Sequence, residues 1–484
     1  MRRGRAAATA AAAAAGTAAV ASATVALRDA DRRHRLERQL RVYRLTVRRT
    51  AHLAAVKVRG ARATEEERAR LEERFAIRSA EDVAQVLGGM KGAIMKAGQM
   101  ISFIAEGLPP EAQAALATLQ ADVPPMAPSL AAGVVRDELG GEPEDVFLDW
   151  DPVPIAAASI GQVHKAVLHD GRIVAVKVQY PGVDKAIKSD LDNAEFLYGL
   201  FASFALPNMD VKSLVDELRA RMADELDYTH EAACQTEFHD RYAGHPFVHV
   251  PAVVPECSSR RVLTSEWVDG LNWTDFLAAS DDGARQRAAE ILFRFAQGSV
   301  QKHGVFNGDP HPGNYRFQPD GSVTFLDFGL VKRWTPGELE SLQPILEAVL
   351  AGDPTGTVDA LVFAGFLRAD SGHDPQRIYD YVRTPYVPFQ QERFTFDGDY
   401  VARTIQTMLG FDGEYADIIR SLNVPPAYVI LDRVTMGLAG LLSRLHASNA
   451  WRGILDEYIA DGPPSTPLGR EEAQWRASRQ LAAR

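Results

Sequence analysis

Residues 160–182, IGQVHKAVLHDGRIVAVKVQYPG, alternate apolar and polar side chains on both sides of Asp170-Gly171, whereas the text before about residue 140 and after about 285 repeats at helical spacing. An Asp-Gly pair between two period-two runs predicts a β-hairpin. Strand text also appears in VFLDW, VHVPAVVP and RRVLTSEWVDG, and a long charged helix, roughly Val211 to Tyr242, interrupts it. The order is a helical preface, a small sheet with one inserted helix, and a mostly helical second half. That order predicts an α+β chain.

At 484 residues the chain can bury a large core and is expected to divide into two or three folding units. Two cysteines, Cys234 and Cys257, supply neither a disulfide framework nor a four-ligand zinc site. A net charge of −11 argues against general nucleic-acid binding, but it is unevenly spread. Residues 1–60 hold 14 Arg and Lys against 3 Asp and Glu, so the remainder is about −22 and only the N-terminus suits an anionic surface. MRRGR followed by an alanine-rich run to Leu27 fits a leader helix or disordered leader, a membrane anchor or a cleaved signal. Leu36, Leu40, Tyr43 and Val47 then mark a basic amphipathic helix, which suits either lipid headgroups or the acidic body. AYVILDRVTMGLAGLL is interrupted by Asp432 and Arg433 and reads as a buried helix, so the body is expected to be soluble, and the low cysteine count points to the reducing cytoplasm.

Chemistry concentrates in a few places. In IVAVKVQ, Val174, Val176 and Val178 share one face, and Lys177 shares the other with the small Ala175. That face has room for a flat ring and a cation for phosphate, although alone such a lysine could sit solvated on an edge strand. In VFNGDPHPGNYRF, Asp309 and Asn314 have the D-x-x-x-x-N spacing of a phosphotransfer loop, and Asp327-Phe328-Gly329 follows as a metal-binding D-F-G signature. Pro310 and Pro312 fix φ around His311 and stiffen the loop. A transition-metal site of Asp309, His311 and Asp327 is the weaker alternative, because no second histidine stands at ligand spacing. In IAAASIGQVHKA, Ala156, Ala157 and Ala158 occupy the place of a glycine-rich phosphate flap. Left-handed backbone costs a non-glycine residue roughly 1–2 kcal/mol, so these alanines exclude the flap's conformation and point to a grip by Ser159 and backbone N–H groups. Asp227 and Glu231 are four apart on the charged helix, with Glu225 beside their stripe, and one acid could pair with Lys177. Lys96 and Gln99 flank Gly98 on a helix of the preface.

The ordered set KAGQ, LQADVPP, AAASIGQVHKA, VAVKVQYPGV, ELDYTHEAA, HGVFNGDPHPGN and LDFG closely resembles the UbiB/AarF family of atypical protein-kinase-like proteins over roughly residues 85–335. The resemblance implies a bilobal protein-kinase-like fold, a small β-rich N-lobe and a helical C-lobe, with an N-terminal helical extension over the active site. It implies ATP and Mg²⁺ as cofactors. Lys96, Gly98 and Gln99 would form the occluding motif, Ala156 to Ala158 the nucleotide loop, Lys177 the nucleotide lysine and Glu231 its partner. Glu225 and Asp227 would face the extension, Asp309 would be the catalytic aspartate, and Asn314 and Asp327 would be the metal ligands. The expected boundaries are 1–60 for the leader and basic helix, 61–140 for the extension, 141–270 and 271–455 for the two lobes, and 456–484 for a polar tail.

The sequence also departs from typical kinases. Asn307-Gly308-Asp309 stands where His-Arg-Asp is usual, and Thr335-Pro336-Gly337-Glu338 resembles a capping box that starts a helix about eight residues after Asp327. A peptide substrate therefore has no obvious platform. The expectation is an ATP- and Mg²⁺-dependent kinase or ATPase serving isoprenoid quinone or other lipid metabolism, peripheral on the inner face of the membrane through its N-terminal region. The alternatives are a nucleotide-gated regulator of a membrane enzyme complex and a soluble small-molecule phosphotransferase.

Overall fold

The computed structural model describes residues 126–158, 160–184, 225–410 and 413–482. Helix α1, Pro128–Leu139, starts on its proline and ends at Gly140, whose φ of 81° suits a residue without Cβ. Its buried Ala131, Val134 and Val135 pack on Val174, Val176, Val178 and Val262. Those valines belong to a five-stranded antiparallel sheet of β1 (Asp149–Trp150), β2 (Ala156–Ala158), β3 (Gly161–Val167), β4 (Ile173–Gln179) and β6 (Val262–Glu266), ordered β1-β3-β4-β6 with β2 also against β3. The expected hairpin is β3–β4, turning through Gly171 at φ 89°. Residues 126–139, expected in the extension, thus belong to the core of the small lobe, because α1 covers the valine face of the sheet.

Helix α2, Tyr228–Arg241, does not run unbroken from Val211. Asp227 is extended, at φ −126° and ψ 94°, and its carboxylate caps the Thr229 N–H. Asp227 and Glu231 therefore do not share a helical face. The helical lobe is built on α3, Asp282–Gly298, capped by Asp281. Its core is aromatic: Phe295 stacks on Phe325 at 3.7 Å between centroids, and Phe328 lies 4.8 Å from Phe238 of α2.

Two short ladders hold the loops of interest. β7 (Val305–Asn307) pairs with β10 (Val331–Arg333), placing Asn307 opposite Val331. β8 (Tyr315–Phe317) pairs with β9 (Val323–Phe325), placing Tyr315 opposite Phe325, while β5 (Val248–His249) runs parallel to β9. Loop 308–314 and segment 326–330 are each pinned at both ends and lie against one another.

Helix α4, Glu338–Ala351, begins three residues later than the expected box. The Glu338 and Glu340 carboxylates accept from the N–H groups of Thr335 and Gly337 respectively. Helix α5, Pro426–Arg444, is the expected apolar helix. Helices α6, Trp451–Ile459, and α7, Pro467–Ala482, replace the expected polar tail. Arg294 of α3, its side chain 1% exposed, ties them down through ion pairs to Glu457 of α6 and Glu472 of α7, and also pairs with Glu290 of its own helix. Among the described residues no helix is long and apolar enough to cross a membrane.

Candidate active site

Lys177 projects from β4 on the face opposite its valines. Nζ donates to Glu231 Oε1 and Oε2 at 2.8 and 2.9 Å and to Asp327 Oδ2 at 3.4 Å, and lies 5.0 Å from the Tyr228 ring centroid. Burial would lower the pKa of this ammonium, but Asp327 and Glu231 outweigh it and hold the pKa well above its usual value. Burial pushes Glu231 up to about 7 against the pull of Lys177, with Asp327 and Glu225 adding repulsion. Glu225 belongs to the same group: its Oε1, Glu231 Oε2 and Asp327 Oδ1 all lie within 3.4–3.7 Å of the Cβ position of Gly329. Glu231 and Asp327 thus share the Lys177 ammonium, and Glu225 joins them beside Gly329.

From Asp327 the contacts continue into the loop. Asn307 Nδ2 donates to the Asp327 carbonyl at 2.6 Å, and Asn307 Oδ1 accepts the Asp309 N–H at 2.9 Å. Asn314 Nδ2 donates to Asp309 Oδ2 at 3.2 Å, which leaves Asn314 Oδ1 as the acceptor a metal would use. The Leu326 N–H donates to the Asn314 carbonyl at 2.9 Å, so Asn314 and Asp327 flank one ladder end. Lys177, Glu231, Asp327, Asp309 and Asn314 thus form one connected cluster. Among the described residues no three His, Cys, Asp or Glu side chains gather into a metal cage. A cation held by Asn314 and Asp327 would complete its shell from phosphate and water, as Mg²⁺ commonly does.

The alanines lie in strand β2, paired with Gly161 to Val163, and not in a glycine-type flap. The register Ala156–Val163–Lys177 and Ala158–Gly161–Gln179 puts Ala156 and Ala158 on the Lys177 face. Ala157, opposite Gln162 and Val178, faces the other side, because successive strand residues alternate. Gly161 is required here, since a Cβ would sit 2.2 Å from the Val178 carbonyl oxygen. Asp227 serves as the cap of α2, apart from the carboxylates around Gly329. Ser159, Lys96, Gly98 and Gln99 lie outside the described residues.

Comparison with known proteins decides the family. Residues 118–361 match the ABC1 atypical kinase-like domain. The chain belongs to this family. It is 31% identical to the atypical kinase COQ8B, mitochondrial, of Rattus norvegicus, over 78% of this chain and 71% of that one. It is 35% identical to the chloroplastic protein ACTIVITY OF BC1 COMPLEX KINASE 8 of Arabidopsis thaliana, over 56% of this chain. The first curated relatives are much longer, and the match spans 37–56% of their length. Among solved structures, the Rv3197–erythromycin complex from Mycobacterium tuberculosis superposes with a TM-score of 0.59 at 30% identity, covering 82% of this chain and 98% of that one.

In this ABC1 member the departure at Gly308 has a steric cause. A Cβ at Gly308 would meet Ile430 Cγ2 of α5 at 2.6 Å and Leu330 Cγ at 3.0 Å, so no side chain fits. Nearby, a Cβ at Gly437 would meet Pro310 Cγ at 2.5 Å. The loop therefore lies directly on α5, and α5 supplies an arginine of its own. Arg433 Nε donates to the Gly308 carbonyl at 3.1 Å, and Nη2 donates to Asp309 Oδ1. Sequence reasoning registered Arg433 only as an interruption in an apolar helix. The available signal was a charged pair, Asp432-Arg433, in the middle of an otherwise apolar stretch.

Proposed function

We propose that this chain binds ATP with Mg²⁺ and uses it, as a phosphotransferase or an ATPase, on or for a lipid-soluble small molecule, in support of isoprenoid quinone or other lipid metabolism. The observation that carries the reading is the continuous set of contacts from Glu231 through Lys177, Asp327, Asn307 and Asp309 to Asn314. In this reading Lys177 holds the α/β-phosphates, Asp309 orients a hydroxyl or a water, and Asn314 and Asp327 hold the metal. Bound Mg²⁺ supplies charge neutralisation: two unit charges 4 Å apart repel by about 4 kcal/mol at an effective dielectric of 20, so the carboxylates and a polyphosphate need it. The short path from Asp327 through β10 to α4 offers no extended segment for a peptide, which favours a small acceptor. The basic residues 1–60 are the proposed contact with anionic lipid.

A second reading, a nucleotide-gated regulator, is favoured by the hold of Arg433 on Asp309. ATP consumption by the full chain, with and without anionic vesicles, tests both against Asp309→Asn and Lys96→Ala. Vesicle-stimulated phosphate release that disappears in Asp309→Asn supports the enzyme. A chain that melts higher with ATP yet leaves it intact is the regulator. The structural relative's complex makes erythromycin a sensible lipophilic addition to the same assay.

A further inference from the structure

The C-terminal end of α2, the turn after α3 and the last helix, α7, border an open cleft of about 710 Å³ that is separate from the Lys177 cluster. Its volume is within the range of small-molecule sites. Two of its walls are the rings of Tyr242 and Trp475, whose planes are 4° apart with centroids 6.4 Å apart. Helix α7 is fixed here by α2: the Trp475 indole N–H donates to the Ala243 carbonyl at 3.1 Å, and the Arg479 guanidinium takes the carbonyls of Asp240 and Arg241. These bonds satisfy acceptors that a helix end otherwise leaves to water.

The polar groups on the walls are not all spent on each other. Lys302 pairs with Asp461, and Glu472 with Arg294 and Tyr458. Arg476 stands 5.9 Å over the Tyr458 ring and makes no ion pair among the described residues. Arg241 bonds Glu237 through Nη2 at 2.9 Å, but its buried Nε has no acceptor. A buried donor without a partner costs about 1–3 kcal/mol, so an acceptor brought by a ligand would recover it. Asp240 also lines the cleft, where four acids stand against four bases. Arg241, Arg476 and Lys302 converge on His303, which is pushed down to about 4 by burial first and then by these three cations.

We propose that this cleft binds an anionic aromatic small molecule, an aryl carboxylate or sulfonate, with its ring against Trp475 and Tyr242 and its acidic group on Arg476 and the Arg241 Nε. Flat anions gain both ring contact and a charge-assisted hydrogen bond in such a place. The site is distinct from the Lys177 cluster, and the binding claim does not depend on ATP being the ligand there.

The test is fluorescence titration of the full chain with 8-anilinonaphthalene-1-sulfonate. The expected result is one saturable site per chain. Arg476→Glu should weaken it about tenfold or more at unchanged melting temperature, Trp475→Leu should weaken it to a similar degree, and Lys177→Met should leave it unchanged. Equal affinity in Arg476→Glu and the native chain overturns the proposal, as does loss of the site in Lys177→Met. If Arg476→Glu does not fold, Arg476→Gln is read by the same criterion.

Discussion

Arg433 of α5 holds both the carbonyl of Gly308 and the carboxylate of Asp309, 124 residues earlier in the chain. The pair is mostly buried, with side chains 17% and 9% exposed. Removing the guanidinium takes away this hold on the Gly308 carbonyl and the Asp309 carboxylate. Arg433→Met should therefore lower kcat for ATP turnover by roughly 10–100-fold, an effect typical of a misplaced catalytic group, while ATP affinity changes little. Arg433→Lys should recover part of the loss. Unchanged kcat in Arg433→Met would show that the loop needs no such anchor.

Asp327→Ala removes one of the two carboxylates that accept from Lys177 and one of the two proposed metal ligands. Nucleotide binding that depends on Mg²⁺ should disappear, as read by calorimetry with and without the metal. ATP affinity equal to that of the native chain would rule out the metal assignment.

His245 packs its ring edge-on against Trp475 and Phe247, and its pKa is pushed down to about 3, chiefly by burial. The folded protein therefore keeps the ring neutral, whereas the unfolded chain takes up the proton below its ordinary value of 6.5. Stability from this residue is full above pH 6.5 and is lost as pH falls toward 3, by roughly 3 kcal/mol at pH 4. Urea unfolding between pH 7 and 4 should show a smaller decline in His245→Gln than in the native chain.

Arg294 neutralises Glu290, Glu457 and Glu472 in the interior of the helical lobe. Arg294→Met strands those acids and should cost about 3–5 kcal/mol, the range for breaking a buried ion pair from one side. The midpoint of chemical unfolding should fall accordingly, and a loss under 1 kcal/mol would mean that solvent reaches the acids.

Local patterns made the site legible. The alternation around Lys177 and the spacing from Asp309 through Asn314 to Asp327 predicted a cluster that the β7–β10 and β8–β9 ladders bring together. What stayed hidden depended on distant partners. Gly308 looked like a lost arginine until Ile430 was seen against it, and residues 456–482 looked like a tail because the counter-charge to Glu457 and Glu472 lies on Arg294, far back in the sequence. Asp227 misled for a local reason, since an aspartate can continue a helix or cap the next one, and its spacing from Glu231 fits both.

Gly308 and Gly437 leave less than one methyl group of clearance between the loop bearing Asp309 and helix α5. Neither surface can drift alone. A bulkier residue on one side demands a smaller one opposite, so paired exchanges at 308 with 430, and at 310 with 437, are the changes through which the floor of this site could be remodelled without being dismantled.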